Sequence, residues 1–151
     1  MSNIVRIVIH CTATPEGKDY TREQILDWFR LPPPRGKGWK YPGYHMVVHL
    51  NGSLETLLPI PEDGILRNGS MANGAKGYNS NSIHIAYIGG VMSDGHTPKD
   101  TRTRAQRSAL QNVVIACRGK YGPLPVYGHR DLPGVNKACP SFDARKEFNH
   151  D

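Results

Sequence analysis

The sequence predicts an α/β fold, a central mixed β-sheet flanked by helices, and three observations carry that prediction. Ile4-Val5-Arg6-Ile7-Val8-Ile9-His10 is a short run dense in β-branched side chains, the pattern of a buried strand. Thr21-Arg22-Glu23-Gln24 has capping-box spacing, and Ile25, Leu26, Trp28 and Phe29 follow it at helical period. Asn51-Gly52 is the strongest short-range hairpin signal in the chain, joining strands at 44–50 and 53–58. The order of elements is strand, helix, hairpin, strand, long helix, short strand. That is the order of an α/β domain whose sheet needs helices to cover it.

The first strand runs into His10-Cys11-Thr12-Ala13-Thr14-Pro15, and residues 15–20 form a polar loop. The first helix must stop before Pro32-Pro33-Pro34. Residues 31–42 make a basic loop containing Trp39 and Tyr41. It is either a ligand-facing lip, its aromatics stacking on sugar rings or bases, or a packed surface loop. Residues 71–82 are small, Gly- and Asn-rich, and lead into a fourth strand at 83–88, closed by Gly89-Gly90. A turn-rich loop at 93–100 precedes the longest helix, about 103–121, on which Ala105, Leu110, Val113, Val114 and Cys117 keep a helical period. Gly122-Pro123 ends it. Pro125-Val126-Tyr127 is a short strand, and 143–148 a final short helix.

A chain of 151 residues suits one domain, spanning 1–151. At this length about 68–70% of the unfolded surface is buried, enough for a core without disulfides. Three cysteines, an odd number, argue against a disulfide framework. Cys117 belongs to the apolar side of the long helix, and Cys11 points to the strand face opposite His10. No apolar stretch approaches the ~18 residues of a membrane span, so stable membrane insertion is not expected. The N-terminus lacks a basic n-region and a long apolar h-region. The expectation is synthesis in the cytoplasm without a signal peptide, with any action outside following release or export. The net charge of +6 and pI near 9.4 favour anionic partners, whether nucleic acid, acidic membrane or cell wall, or simply describe a basic solvated surface.

The chemistry concentrates in His129-Arg130-Asp131-Leu132-Pro133-Gly134-Val135-Asn136-Lys137-Ala138-Cys139-Pro140. Its prolines and glycines forbid a regular helix or central strand, so an imidazole, a lysine and a thiol share one loop. His and Cys suit a borderline-soft metal such as zinc. Two ligands leave such a site incomplete. His10, at the end of the first strand, is the best candidate for the third, although alone it reads equally as a core histidine. The expected centre is an open Zn2+ site of His10, His129 and Cys139 with water in the fourth position. Taken singly these signals are weak, since the spacing matches neither a zinc finger nor a His-Glu-x-x-His helix.

Several stretches together are more specific. They are Val8-Ile9-His10-Cys11-Thr12-Ala13-Thr14, Gly43-Tyr44-His45-Met46-Val47-Val48, Ala75-Lys76-Gly77-Tyr78-Asn79-Ser80-Asn81-Ser82-Ile83, Ile88-Gly89-Gly90, and Lys137-Ala138-Cys139-Pro140-Ser141-Phe142-Asp143. In order and over nearly the whole chain, they resemble the amidase-2 family of zinc-dependent N-acetylmuramoyl-L-alanine amidases, related to peptidoglycan-recognition proteins, and within it the bacteriophage T7 lysozyme type. The resemblance implies that family's fold and hydrolysis of the amide joining N-acetylmuramic acid to L-alanine in bacterial peptidoglycan. It implies zinc on His10, His129 and Cys139, Lys137 as the catalytic lysine and Tyr44 as the catalytic tyrosine. An unperturbed phenol near pKa 10 is a poor base, so Tyr44 is expected to position water rather than deprotonate it.

Two positions and one loop depart from the family pattern. Ala86 stands where part of the family has a glutamate base. Gly74 stands where the phage-type enzymes have a histidine. The 31–42 loop is longer than the usual connection. His45 is expected to face away from Tyr44 if the strand is regular. The resemblance implies peptidoglycan as partner; the lack of a signal peptide and the single catalytic domain point to a phage or prophage lysis enzyme or an exported effector, and a monomer is expected. A non-hydrolytic peptidoglycan-binding or regulatory module of the same fold is the alternative, disfavoured by the presence of Cys139 and Lys137. A basic nucleic-acid-associated protein is the third reading, and no nucleic-acid motif supports it.

Overall fold

The computed structural model describes residues 1–149. In chain order the elements are β1 (Ser2–Asn3), β2 (Arg6–Cys11), β3 (Thr14–Pro15), α1 (Arg22–Arg30), β4 (Met46–Val48), β5 (Leu54–Thr56), β6 (Ile65–Leu66), β7 (Ser82–Tyr87), β8 (Gly90–Val91), α2 (Arg104–Tyr121), β9 (Val126–Gly128) and α3 (Ala144–Phe148). β2 is buried at every position after Arg6, and β7 at every position. Strands buried on both faces belong at the centre of a parallel sheet. They pair there in register, Ile7 opposite Ile83 and His10 opposite Ala86.

The main sheet has the order β5-β4-β7-β2-β9. β9 and β4 run parallel to their neighbours, and β5 closes one edge antiparallel to β4. The expected mixed sheet is therefore four parallel strands plus one antiparallel edge. Strand alternation sorts the side chains by face. Ile7, Ile9, Val48, Ile83, Ile85 and Tyr87 pack with Leu110, Val113, Val114 and Cys117 of α2 and with Phe148 of α3. On the opposite face, Val47, Ala86 and Ile88 pack with Ile25 and Phe29 of α1. Cys117 and Cys11 both lie in the first of these clusters, as their periodicity predicts.

Both main helices are bounded by local chemistry. Thr21 and Gln24 form the expected capping box, and Thr103 and Gln106 form a second one on α2. At the far end of α2, Gly122 adopts φ 100° and its N–H donates to the Arg118 carbonyl. Gln106 also ties α2 to the sheet, since its buried Nε2 donates to the carbonyls of Val48 at 3.2 Å and Ile88 at 3.0 Å. Gln106→Met should leave the Ile88 carbonyl without this donor, while the Val48 carbonyl still accepts the Ile88 N–H at 3.0 Å, and cost about 1–3 kcal/mol. At this chain size the melting temperature should fall by several degrees in calorimetry, roughly 2–4 °C per kcal/mol. An unchanged melting temperature would deny the tie.

Two expected strand boundaries and the expected alternation at Tyr44 and His45 differ from the structure. The first strand begins at Arg6, because the Ile4 N–H donates to Gly64 O at 2.9 Å and Ser2–Asn3 pairs separately with β6. The strand expected at 44–50 is shorter, Met46–Val48. The His45 carbonyl accepts from both Leu57 at 2.8 Å and Leu58 at 3.1 Å, which breaks the regular ladder. Alternation therefore does not extend back to Tyr44. The Tyr44 ring lies 5.3 Å from that of His10 and the His45 ring 6.1 Å from that of His84, so the regular strand that would turn His45 away from Tyr44 is not present. Among the described residues no helix is long and apolar enough to cross a membrane.

Candidate metal and active site

His10 is the fifth residue of β2 and projects on the α1 side of the sheet, opposite Ile9 and Cys11. His129 follows directly on β9, the parallel neighbour of β2. Two parallel strands thus deliver two imidazoles to the crevice beyond their C-terminal ends, where α/β sheets place ligands. Their ring centroids are 4.7 Å apart.

Cys139 arrives on the last loop, which several anchors fasten to the sheet. Tyr87 Oη donates to Pro140 O at 2.6 Å, Ser141 Oγ donates to Gly90 O at 2.8 Å, and Arg130 N donates to Cys139 O at 2.8 Å. Phe142 packs under the Arg102 guanidinium, which is itself held by Asp100 and Glu147. The Pro-Ser-Phe after the cysteine is thus what sets its position.

The ligand atoms of His10, His129 and Cys139 all lie within 4.8 Å of one another, and Cys139 Sγ is 3.8 Å from His10 Nδ1. Zn–N near 2.0–2.1 Å and Zn–S near 2.3 Å give a tetrahedral N···S edge of about 3.6 Å, so the donor set fits that ion and leaves a fourth position open. Burial holds His129 down to about 4, with Lys137 adding to the effect. Burial, then the neighbouring imidazoles and Lys137, holds His10 well below the usual histidine range. Both rings are therefore neutral at physiological pH, as metal ligands must be. The Cys139 thiol is pushed up by its hydrogen bond with Cys11 and by burial, so it carries a proton that a metal must displace.

Tyr44 is half-buried, its ring 5.3 Å from His10 and edge-on to Phe29 at 5.4 Å. Burial raises its phenol well above 10, followed by the nearby thiols, which leaves it uncharged and suited to positioning rather than to base catalysis. Lys137 is exposed and lines the cleft together with His10, Tyr44, His129 and Cys139. The cleft, about 330 Å³, adjoins a groove of about 580 Å³, and Lys37, Trp39, His129 and Lys137 border both. The basic loop therefore contributes to the cleft wall through Lys37 and Trp39. Trp39 is also packed, stacked on Phe29 at 5.8 Å, so both readings of the loop hold part of the truth.

Beyond the expected ligands, the extra histidines His84 and His45 and the side chain of Asn79 come together beside His10. His84 lies on the same face of β7, its Nδ1 2.8 Å from His10 Nε2, and Asn79 Oδ1 is 2.9 Å from His84 Nε2. His45 stacks on His84 with ring centroids 6.1 Å apart. Among the described residues every buried side-chain nitrogen and oxygen has a hydrogen-bond partner, so this cluster is fully satisfied.

These histidines make stability depend on pH. Burial holds His45 at about 4, against 6.5 when unfolded. Between those values the unfolded chain binds a proton that the folded chain refuses, so stability is complete above pH 6.5 and is lost as pH falls toward 4. A difference of ~2.5 pKa units corresponds to about 3 kcal/mol. His10 and His84, lowered in the same direction, add to it. Urea unfolding of the metal-free protein should show a clearly lower midpoint at pH 4.5 than at pH 7. Equal midpoints would contradict the neutral buried cluster.

The N-acetylmuramoyl-L-alanine amidase family model matches residues 1–142. The chain belongs to this family. The amidase is 31% identical over 138 residues to the endolysin of Enterobacteria phage K11, covering 91% of this chain and 81% of that one. It is 30% identical over 142 residues to the endolysin of Escherichia phage T7, covering 93% and 82%. Among solved structures it resembles the Ph2119 endolysin from the Thermus scotoductus MAT2119 bacteriophage, with TM-score 0.68, 26% identity, and 93% and 79% of the two chains covered. The expected fold and the expected enzyme class agree with these likenesses. The amidase is a peptidoglycan hydrolase acting on the amide between N-acetylmuramic acid and L-alanine, and its His-His-Cys cluster is a possible metal site.

Proposed function

We propose that this amidase is a zinc-dependent, endolysin-type enzyme in which His10, His129 and Cys139 hold the ion, Lys137 stabilises developing negative charge and Tyr44 positions the attacking water. The observation that carries the reading is the convergence of two imidazoles and one thiol, within 4.8 Å, at the floor of a cleft. Bound there, zinc would supply Lewis acidity and a water acidified to a pKa of roughly 7.

The chain's own groups account for the rest. The Lys137 ammonium lines the same cleft as His129 and would stabilise the charge a carbonyl oxygen gains as the amide is attacked. Tyr44, held by Phe29 and kept protonated, directs its hydroxyl proton to Cys11 O at 3.4 Å and offers an oxygen lone pair to water or substrate. Ala86 lies beside His10 in the sheet, where it contributes no carboxylate. The adjoining groove, with Trp39 and Lys37 on its wall, gives the glycan and the stem peptide an apolar ring and a positive charge to meet. The domain spans 1–151 and works as a monomer on cell-wall peptidoglycan after release or export from the cytoplasm.

Metal analysis tests the assignment. Protein dialysed against zinc should hold one ion per chain, and His10→Ala or His129→Ala, if folded, should hold far less. Full zinc content in a folded His129→Ala variant would sink it.

A further inference from the structure

We propose that His84 is a positioning residue for the metal site, holding His10 in the tautomer that presents Nδ1 to the ion. The proposal rests on the assignment of His10, His129 and Cys139 as zinc ligands. It follows from the direction of a chain of hydrogen bonds, which is set at the end farthest from the metal.

Asn79 Oδ1 accepts the Ala75 backbone N–H at 2.9 Å, so the amide presents its oxygen to the space between Ala75 and His84. His84 Nε2, 2.9 Å from the same oxygen, must therefore donate. A neutral imidazole has one N–H, so His84 Nδ1 carries a lone pair. That atom lies 2.8 Å from His10 Nε2, which must in turn donate to it. The His10 proton is thereby placed on Nε2. Its Nδ1, on the side of Cys139 Sγ, keeps the lone pair that a metal requires.

The rest of the environment fixes the His84 ring. The His84 backbone N–H donates to His45 Nδ1 at 3.0 Å, and the two rings stack at 8°. The space it fills exists because residue 74 is glycine. A Cβ built at Gly74 would lie 2.4 Å from His84 Nδ1. A side chain at 74 and an imidazole at 84 thus exclude one another. The glycine at 74 is the condition for this relay. A ligating histidine usually gives its other N–H to a carboxylate, a carbonyl or water, which fixes the ring and raises its basicity. Here a second histidine, backed by an asparagine, takes that place.

The test combines tautomer and affinity. In protein labelled with 15N-histidine, long-range proton–nitrogen spectra of the metal-free wild type should show His10 protonated at Nε2. Zinc affinity, measured by competition with a chromophoric chelator, should fall about 10–100-fold in His84→Leu, which keeps bulk and loses both bonds. His84→Gln, whose amide offers one acceptor and one donor, should recover most of the loss. Wild-type His10 protonated at Nδ1, or a folded His84→Leu chain with wild-type affinity, would overturn the proposal. Should His84→Leu not fold, Asn79→Leu and the wild-type spectrum decide it by the same criteria. A wild type that binds no zinc defeats the ligand assignment and this role with it. The tautomer spectrum, which needs no metal, separates that failure from failure of the relay alone.

Discussion

Cys139→Ser should lose both zinc and activity while keeping the fold. Serine is nearly isosteric, and the loop is held by Tyr87, Ser141 and Phe142 rather than by the thiol itself. The change is chemical. A thiolate is a strong ligand for a borderline-soft ion, whereas a neutral hydroxyl is a poor one. Losing an outer partner of a ligand costs about 10–100-fold in metal affinity or activity, so losing a ligand itself should cost more than about 100-fold in both. The far-ultraviolet circular dichroism should stay unchanged. A folded variant that binds zinc and hydrolyses like wild type would remove Cys139 from the site.

Lys137→Ala should separate chemistry from metal binding. The side chain is exposed on the cleft rim, so its removal should not unfold the loop. Its positive charge is felt by both imidazoles, which it disfavours in their charged forms. Zinc content should therefore hold or rise slightly. If the ammonium meets negative charge only as the amide is attacked, kcat should fall about 10²–10³-fold with little change in KM. Lys137→Arg should recover part of the rate, since it restores the charge with different geometry. A raised KM with unchanged kcat would make Lys137 a substrate contact and deny it the transition-state role.

The parts of this site that the sequence discloses are those encoded locally. Pro133, Gly134 and Pro140 mark the loop, and scarce residue types within it, His129 and Cys139, announce metal chemistry. Thr21-x-x-Gln24 marks the start of α1, and Thr103-x-x-Gln106 carries the same spacing, so the second box is legible as well. His84 is different. In the sequence it is one polar residue in an apolar strand, and its meaning comes from the parallel register that sets β7 beside β2, with His10 74 positions away. Nothing local specifies that register. The orientation of His45 depends likewise on its carbonyl taking two N–H groups from Leu57 and Leu58, a detail of hairpin closure. Strands of two residues, such as β1, β3, β6 and β8, are too short to show any period.

The most direct test of the account is mass spectrometry of purified peptidoglycan digested by the protein, with and without a zinc chelator. The account predicts stem peptides freed with an L-alanine N-terminus, glycan strands left uncut, loss of both products with chelator, and recovery on adding zinc. Cleavage at another bond, or amide cleavage indifferent to the chelator, would contradict it, as would intact peptidoglycan after incubation with folded, zinc-loaded protein.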